Sequence, residues 1–264
     1  MPYLSVRNIE VRYEGVILGA RSVSLEVPPG STVALLGANG AGKSTTLKAI
    51  SGLLKTEHGS ITRGSIELDG HRIDGRGAED IAAAGVVQVI EGRRLFAHLT
   101  VEQNLIAGGS MLDRASCAER LEMIYQIFPN LGRLRRNVSG YMSGGEQQML
   151  VTGRALMARP TVLMLDEPSL GLAPSMIRAT YDKLTEIRER EDISILLAEQ
   201  NVNMALEICD YAYVLETGRV VLDGTPQRLR ENKDIQEFYL GLSELGARKK
   251  YSEIKHYRRR KRWL

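Results

Sequence analysis

Apolar and polar positions alternate from Leu4 to Val11 and from Val23 to Val27, the period of strands with one buried and one wet face. Thr32 to Leu36 is instead a short apolar run that ends at glycine, which predicts a strand covered on both sides. The spacing then predicts a helix from Lys43 to about Leu53, a strand and turn over Gly64 to Gly70, and another buried strand from Gly85 to Ile90. Between about Gly92 and Arg159 the strand pattern vanishes. There Leu121, Ile124, Tyr125 and Phe128 recur at helical spacing, and Pro129 is expected to stop that helix. Strand and helix alternate again through Val162–Asp166, Ser175–Arg190, Ile193–Ala198, Val202–Cys209 and Tyr211–Leu215. This order implies an α/β fold, a mainly parallel sheet flanked by helices and interrupted by a helical insertion at about residues 92–159.

A chain of 264 residues with 43% hydrophobic content can bury a substantial core in one large or two closely joined domains. No apolar stretch approaches the roughly 18–20 residues of a membrane span, and the N-terminus lacks the basic-then-apolar order of a signal. A cytoplasmic protein is expected. Cys117 and Cys209 stand far apart, outside any metal-ligand spacing, and read as small core residues in a reducing compartment. The net charge of +3 is unevenly placed: from Gly241 onward nine basic residues face Glu244 and Glu253, so the tail carries +7 and the first 240 residues −4. The basic balance therefore belongs to residues 241–264 and gives no reason for the body to bind nucleic acid. That tail, with Tyr257 and Trp263 among its basic residues, reads either as a solvated terminus or as a contact with a membrane surface or partner.

The strongest local chemistry is Gly37-Ala-Asn-Gly-Ala-Gly-Lys-Ser44, a GxxxxGK[ST] pattern between an expected strand and an expected helix. Gly37, Ala38, Asn39, Gly40, Ala41 and Gly42 can turn backbone amides inward around phosphate oxygens. The helix that begins near Lys43, with Ser44 and Thr45 in its first turn, adds the positive end of its dipole. Lys43 would neutralise the β- and γ-phosphates of ATP, and the Ser44 hydroxyl would hold Mg²⁺. Thr161-Val-Leu-Met-Leu-Asp-Glu167 is an apolar strand that emerges into two acids, at the edge where an open sheet places its ligands. Asp166 would hold the metal, directly or through water, and Glu167 would act as general base on the attacking water; capping of the next helix is the structural alternative.

Between these motifs Met142-Ser-Gly-Gly-Glu-Gln-Gln148 resembles the LSGGQ signature of the ABC ATPases, with Met142 and Glu146 departing from the pattern. The resemblance implies a P-loop NTPase fold of the ABC type, with a mainly parallel core sheet, an antiparallel β subdomain and an inserted helical subdomain. It places Ser143, Gly144, Gly145 and Glu146 at the ATP bound by a second ATPase subunit, so that one chain alone holds two half-sites. Tyr13 matches the aromatic residue that stacks on adenine, although tyrosine is also a common strand residue. Glu91 stands where the family usually has a glutamine that links nucleotide and metal to the helical insertion, and Gln200 stands at the switch histidine. Ser169-Leu-Gly-Leu172 resembles the D-loop that crosses the dimer seam.

Glu91-Gly-Arg-Arg, Asp166-Glu-Pro-Ser-Leu-Gly-Leu-Ala-Pro174 and Glu199-Gln-Asn201, taken with the signature, look like the LivF branch over residues 3–240. That branch implies an ATPase domain over 1–240, peripheral on the inner face of the membrane, that energises uptake of branched-chain or other amino acids. It also implies permease subunits, a second and nonidentical ATPase, and an external substrate-binding protein. Urea, amide, carboxylate or lipid transport shares these motifs, as does a soluble ABC protein acting on ribosomes or DNA.

Overall fold

The alternating segments Leu4–Tyr13 (β1) and Ile17–Val27 (β2) pair antiparallel in the computed structural model, which describes residues 4–238; the basic tail lies outside the described residues. Thr32–Leu36 (β3), apolar from Val33 onward, is buried at every position, as its lack of a polar face requires. Gly59–Leu68 (β4) and His71–Arg72 (β5) complete a four-stranded antiparallel sheet in the order β2-β1-β4-β5. Val86–Val89 (β6), Val162–Asp166 (β7), Ser194–Glu199 (β8), Tyr211–Glu216 (β9) and Arg219–Gly224 (β10) join β3 in a six-stranded sheet, ordered β10-β9-β3-β8-β7-β6. All its pairings are parallel except β9 with β10.

Helices cover this sheet. Lys43–Ile50 (α1) and Ala78–Ala83 (α2) precede β6. Between β6 and β7 the chain forms Val101–Gly108 (α3), Arg114–Ile127 (α4), Pro129–Arg133 (α5) and Gly144–Met157 (α6). Pro174–Glu191 (α7), Val202–Ile208 (α8), Pro226–Glu231 (α9) and Lys233–Phe238 (α10) follow. One face of the sheet packs Leu163, Leu165 and Leu197 with Leu105, Ile124, Leu150 and Leu184 from the helices. The other packs Leu35, Met164 and Leu196 with Leu47 and Ile50 of α1 and with Ile9, Leu25 and Ile66 of the antiparallel sheet. The strand register sets the site: Leu36 lies beside Glu199, and Asp166 beside Ala198, so β3, β8 and β7 end level along one edge.

Several local expectations shift. Pro129 does end α4, but it also opens α5 at its first turn, where the missing amide proton leaves no helical bond unmade. The helix expected to reach Leu53 stops at Ile50, and after Gly52 (φ +73°) a 3-10 segment runs from Leu53 to Glu57. Strand β10 escapes the hydrophobic pattern because it is a half-exposed edge, joined to β9 through Thr217 and Gly218 at φ +50° and +78°, the backbone of a tight hairpin. Cys209 is buried as expected, whereas Cys117 is only half-buried.

Candidate functional site

The loop after β3 is shaped by close backbone approach. A Cβ at Gly37 would stand 2.5 Å from the Leu215 carbonyl oxygen, and one at Gly42 (φ +103°) 2.8 Å from that of Gly19. Gly42 caps α1 without a side-chain bond, so the first amides of the helix keep their hydrogen-bonding capacity for an anion. Ala38, Asn39 and Gly40 are exposed at the rim, Ala41 is buried beneath it, and Ser44 and Thr45 are half-buried in the first turn. Lys43 is 3% exposed; its ammonium donates to the carbonyls of Gly37 at 2.8 Å and Ala38 at 3.2 Å and lies 3.0 Å from Glu167 Oε1.

Asp166 and Glu167 leave β7 directly opposite. Ser44 Oγ donates to Asp166 Oδ1 at 3.0 Å, while the buried Asp166 Oδ2 has no hydrogen-bond partner. Burial pushes the Asp166 carboxyl up to about 6, and the negative charges of Glu91 and Glu167 add to this; the Ser44 hydrogen bond and the Lys43 charge oppose it. A buried carboxylate oxygen without a donor costs about 1–3 kcal/mol or more, and a bound cation beside the Ser44 hydroxyl removes that cost. The donor set therefore fits Mg²⁺. Among the described residues no three His, Cys, Asp or Glu side chains converge, and a magnesium ion held partly by substrate phosphates needs no such cage. Glu167 adopts φ +48°, a conformation costing about 1–3 kcal/mol for a side-chain-bearing residue, and the hydrogen bond its backbone N–H donates to the Ala198 carbonyl at 2.9 Å holds it there.

The remaining expected residues are spread around this centre. Tyr13 ends β1 half-buried; its hydroxyl donates to Thr45 Oγ1 at 3.1 Å, and its ring edge lies where a Cβ on Gly19 or Gly59 would stand. Glu91 is exposed just past β6 and acts on Asp166 by charge. Gln200 is exposed just past β8. Two residues to which sequence reading assigned no role join these segments. Glu199, 1% exposed, accepts hydrogen bonds from Ser169 N and Oγ at 3.1 and 3.0 Å and from Gln200 N at 3.2 Å. Arg93, at φ +50°, donates to the Leu170 carbonyl at 2.6 Å and lies against Gly144. An acid at the end of an otherwise apolar strand was the available signal for Glu199; nothing local marks Arg93.

Ser143 is the N-cap of α6. Its amide and hydroxyl both donate to Glu146 Oε2, at 2.8 and 2.7 Å, and Glu146 N returns a bond to Ser143 Oγ at 3.4 Å, a complete capping box. A Cβ at Gly145 would fall 2.3 Å from Met176 Cε of α7, the end of a flexible side chain that would have to swing aside. Among the described residues no hydrogen bond or ion pair joins Ser143, Gly144, Gly145 or Glu146 to the Gly37–Thr45 loop, so the chain brings the phosphate loop and the carboxylates together but leaves the signature separate.

A glycine loop and helix start facing paired carboxylates on a parallel sheet define a P-loop nucleotide-binding protein. Residues 20–170 match the ABC transporter family model, and the chain belongs to that family. It is similar to the high-affinity branched-chain amino acid transport ATP-binding protein BraG of Pseudomonas aeruginosa, at 43% identity over 87% of this chain and 96% of that protein. A probable LivF protein of Archaeoglobus fulgidus is 35% identical over 83% of this chain and 91% of its own. Among solved structures, an ABC transporter cassette in its ADP conformation matches with a TM-score of 0.77 and 25% identity, covering 91% of this chain and 99% of that one. The protein is thus a nucleotide-binding, ATP-hydrolysing transporter subunit with the ABC ATPase fold. No helix among the described residues is long and apolar enough to cross a membrane.

Proposed function

We propose that the chain binds Mg-ATP on its phosphate loop and hydrolyses it with Glu167 as general base, to energise uptake of branched-chain amino acids. The convergence of Lys43, Ser44, Asp166 and Glu167 at the level strand ends carries this reading. Those amides between Ala38 and Thr45 that bond nothing else in the loop cradle the phosphates, Lys43 neutralises β- and γ-oxygens, and Tyr13 borders the adenine. Ser44, the unpartnered Asp166 oxygen and Glu91 would hold Mg²⁺, which would supply charge neutralisation on the phosphates. A γ-phosphate at Lys43 competes with Glu167 for the ammonium, and a Glu167 released from that pair accepts a proton from water. Gln200 contributes an uncharged amide to the same phosphate.

Ser143, Gly144 and Glu146, exposed or half-buried at the start of α6 with Gly145 buried among them, complete the ATP site of a second ATPase subunit, nonidentical in the favoured assembly. On this reading residues 1–240 are the ATPase domain and about 92–159 its helical subdomain, peripheral on the inner face of the membrane. A groove of about 260 Å³ between β6 and α6, lined by Val89, Phe96, Arg154 and Ala155, receives the permease. The relatives' transport of branched-chain amino acids supports the substrate. The test is co-purification with the permease and binding protein of the same system, followed by ATPase assay in proteoliposomes. Stimulation by leucine, isoleucine or valine with the loaded binding protein is expected. Stimulation by urea or a short amide alone overturns the substrate, and failure to associate with any permease overturns the transport reading.

A further inference from the structure

Glu199 is among the most buried charged side chains of the described residues, at 1% exposure, and no ion pair involves it. Its carboxylate is satisfied wholly by hydrogen-bond donors. Oε1 accepts from Ser169 N at 3.1 Å, and Oε2 accepts from Ser169 Oγ at 3.0 Å, Gln200 N at 3.2 Å and Asn201 N at 3.4 Å. Its own carbonyl accepts from Gly37 N at 3.3 Å, at the first residue of the phosphate loop. One residue thus touches three segments: the start of the phosphate loop, the Ser169–Leu172 turn that follows Glu167, and the turn that presents Gln200. Four donors around one buried carboxylate fix those segments more rigidly than neutral contacts would, because charge-assisted bonds in a low dielectric are strong and directional.

We propose that Glu199 is a positioning residue for hydrolysis, holding Ser169–Leu172 and the Gln200 turn as one body against the phosphate loop, and so setting where Glu167 and Gln200 stand relative to the γ-phosphate. The turn from Glu167 to Leu172 is itself closed by Leu170 N to Glu167 O at 3.1 Å and Leu172 N to Ser169 O at 3.2 Å, so a shift at Ser169 is transmitted to Glu167. Burying an unpaired carboxylate is otherwise unfavourable, and an apolar residue continuing β8 would fill the position at lower cost. The inference rests on the assignment of Glu167 as base.

The test uses the full-length chain within the transporter complex and measures kcat, ATP affinity and Tm together. Glu199→Gln turns one acceptor end into an amide donor facing Ser169 or the Gln200 and Asn201 amides. It is expected to lower kcat about tenfold while ATP affinity stays within about twofold, because a group that places transition-state contacts moves kcat rather than ground-state binding. Ser169→Ala, which keeps the carboxylate and its backbone bonds, is expected to lower kcat about threefold, and the double variant to be no slower than Glu199→Gln alone. A kcat within about twofold of the parent for Glu199→Gln, strictly multiplicative effects in the double variant, or parallel loss of ATP affinity and kcat in both single variants would overturn the proposal. If Glu199→Gln does not fold, Ser169→Ala decides alone: a selective loss of kcat supports the role and an unchanged kcat refutes it. Glu167→Gln, assayed beside them, separates the two readings, since normal turnover in that variant removes the base assignment whatever Glu199 does.

Discussion

Lys43, Asp166 and Glu167 are each less than a tenth exposed, and the Lys43–Glu167 and Ser44–Asp166 contacts join distant elements, whereas Ser143 to Glu146 make their hydrogen bonds within one helical turn. The first group cannot exist without the sheet: α1 follows β3, Asp166 ends β7 with Glu167 next in the chain, and the register between β3, β8 and β7 brings them level. The second group is a capping box that any helix N-terminus could carry. A buried cluster of lysine and carboxylates, one oxygen still without a donor, is arranged for phosphate and cation. The exposed N-cap Ser143 suits an anion, which on the proposed function another subunit presents. On the proposed function, the buried group carries binding and chemistry and the signature turn completes a neighbour's site.

The largest effect expected on this contrast is that of Glu167→Gln, which keeps the shape and a hydrogen-bonding group but removes the base. Turnover should fall about a thousandfold with ATP affinity nearly unchanged, measured by steady-state ATPase assay and nucleotide titration on the same preparation. Near-normal turnover would dissolve the proposed role of the buried half. Lys43→Ala comes next: loss of a charged donor to phosphate should weaken ATP binding about ten- to a hundredfold and lower hydrolysis with it. Intact Mg-ATP binding in that variant would contradict the phosphate-loop assignment.

Ser143→Ala probes the other half. It removes the cap of α6, costing about 1 kcal/mol of stability, and should slow ATP turnover about tenfold in the assembled transporter. Binding of ATP by the isolated chain should not change; a matching loss there would show that the two halves are not separate. Gln200→Ala is expected to have the smallest effect, about threefold on kcat, since one neutral hydrogen bond is worth about 1 kcal/mol or less. A loss larger than that of Glu167→Gln in matched kinetics would reverse the ranking of base and switch residue.

How much of this was legible in the chain depends on how local each feature is. Val162–Asp166 and Thr32–Leu36 were legible residue for residue, because a strand buried on both faces has to be apolar along nearly all its length, here all but Asp166 and Thr32. Strand β10 was not, because an edge strand with one half-exposed face mixes its pattern. The phosphate loop was legible because its function lies in contiguous backbone amides and the helix start behind them. The capping box of Ser143 and Glu146 was equally local, a serine followed three residues later by glutamate, although sequence alone read it as a departure from a signature.

The sequence by itself determined which segments carry phosphate chemistry, which acids follow a buried strand, and the family to which the chain belongs. Tertiary structure alone decided how those segments meet. Arg93 reaches a carbonyl 77 residues further along the chain, and Glu199 binds a serine 30 residues before it. Neither contact leaves a periodic trace, because each needs only one side chain of the right length at a place set by sheet register. Local motifs are written in consecutive residues, whereas the contacts that hold one motif against another come from packing, which no window along the chain contains.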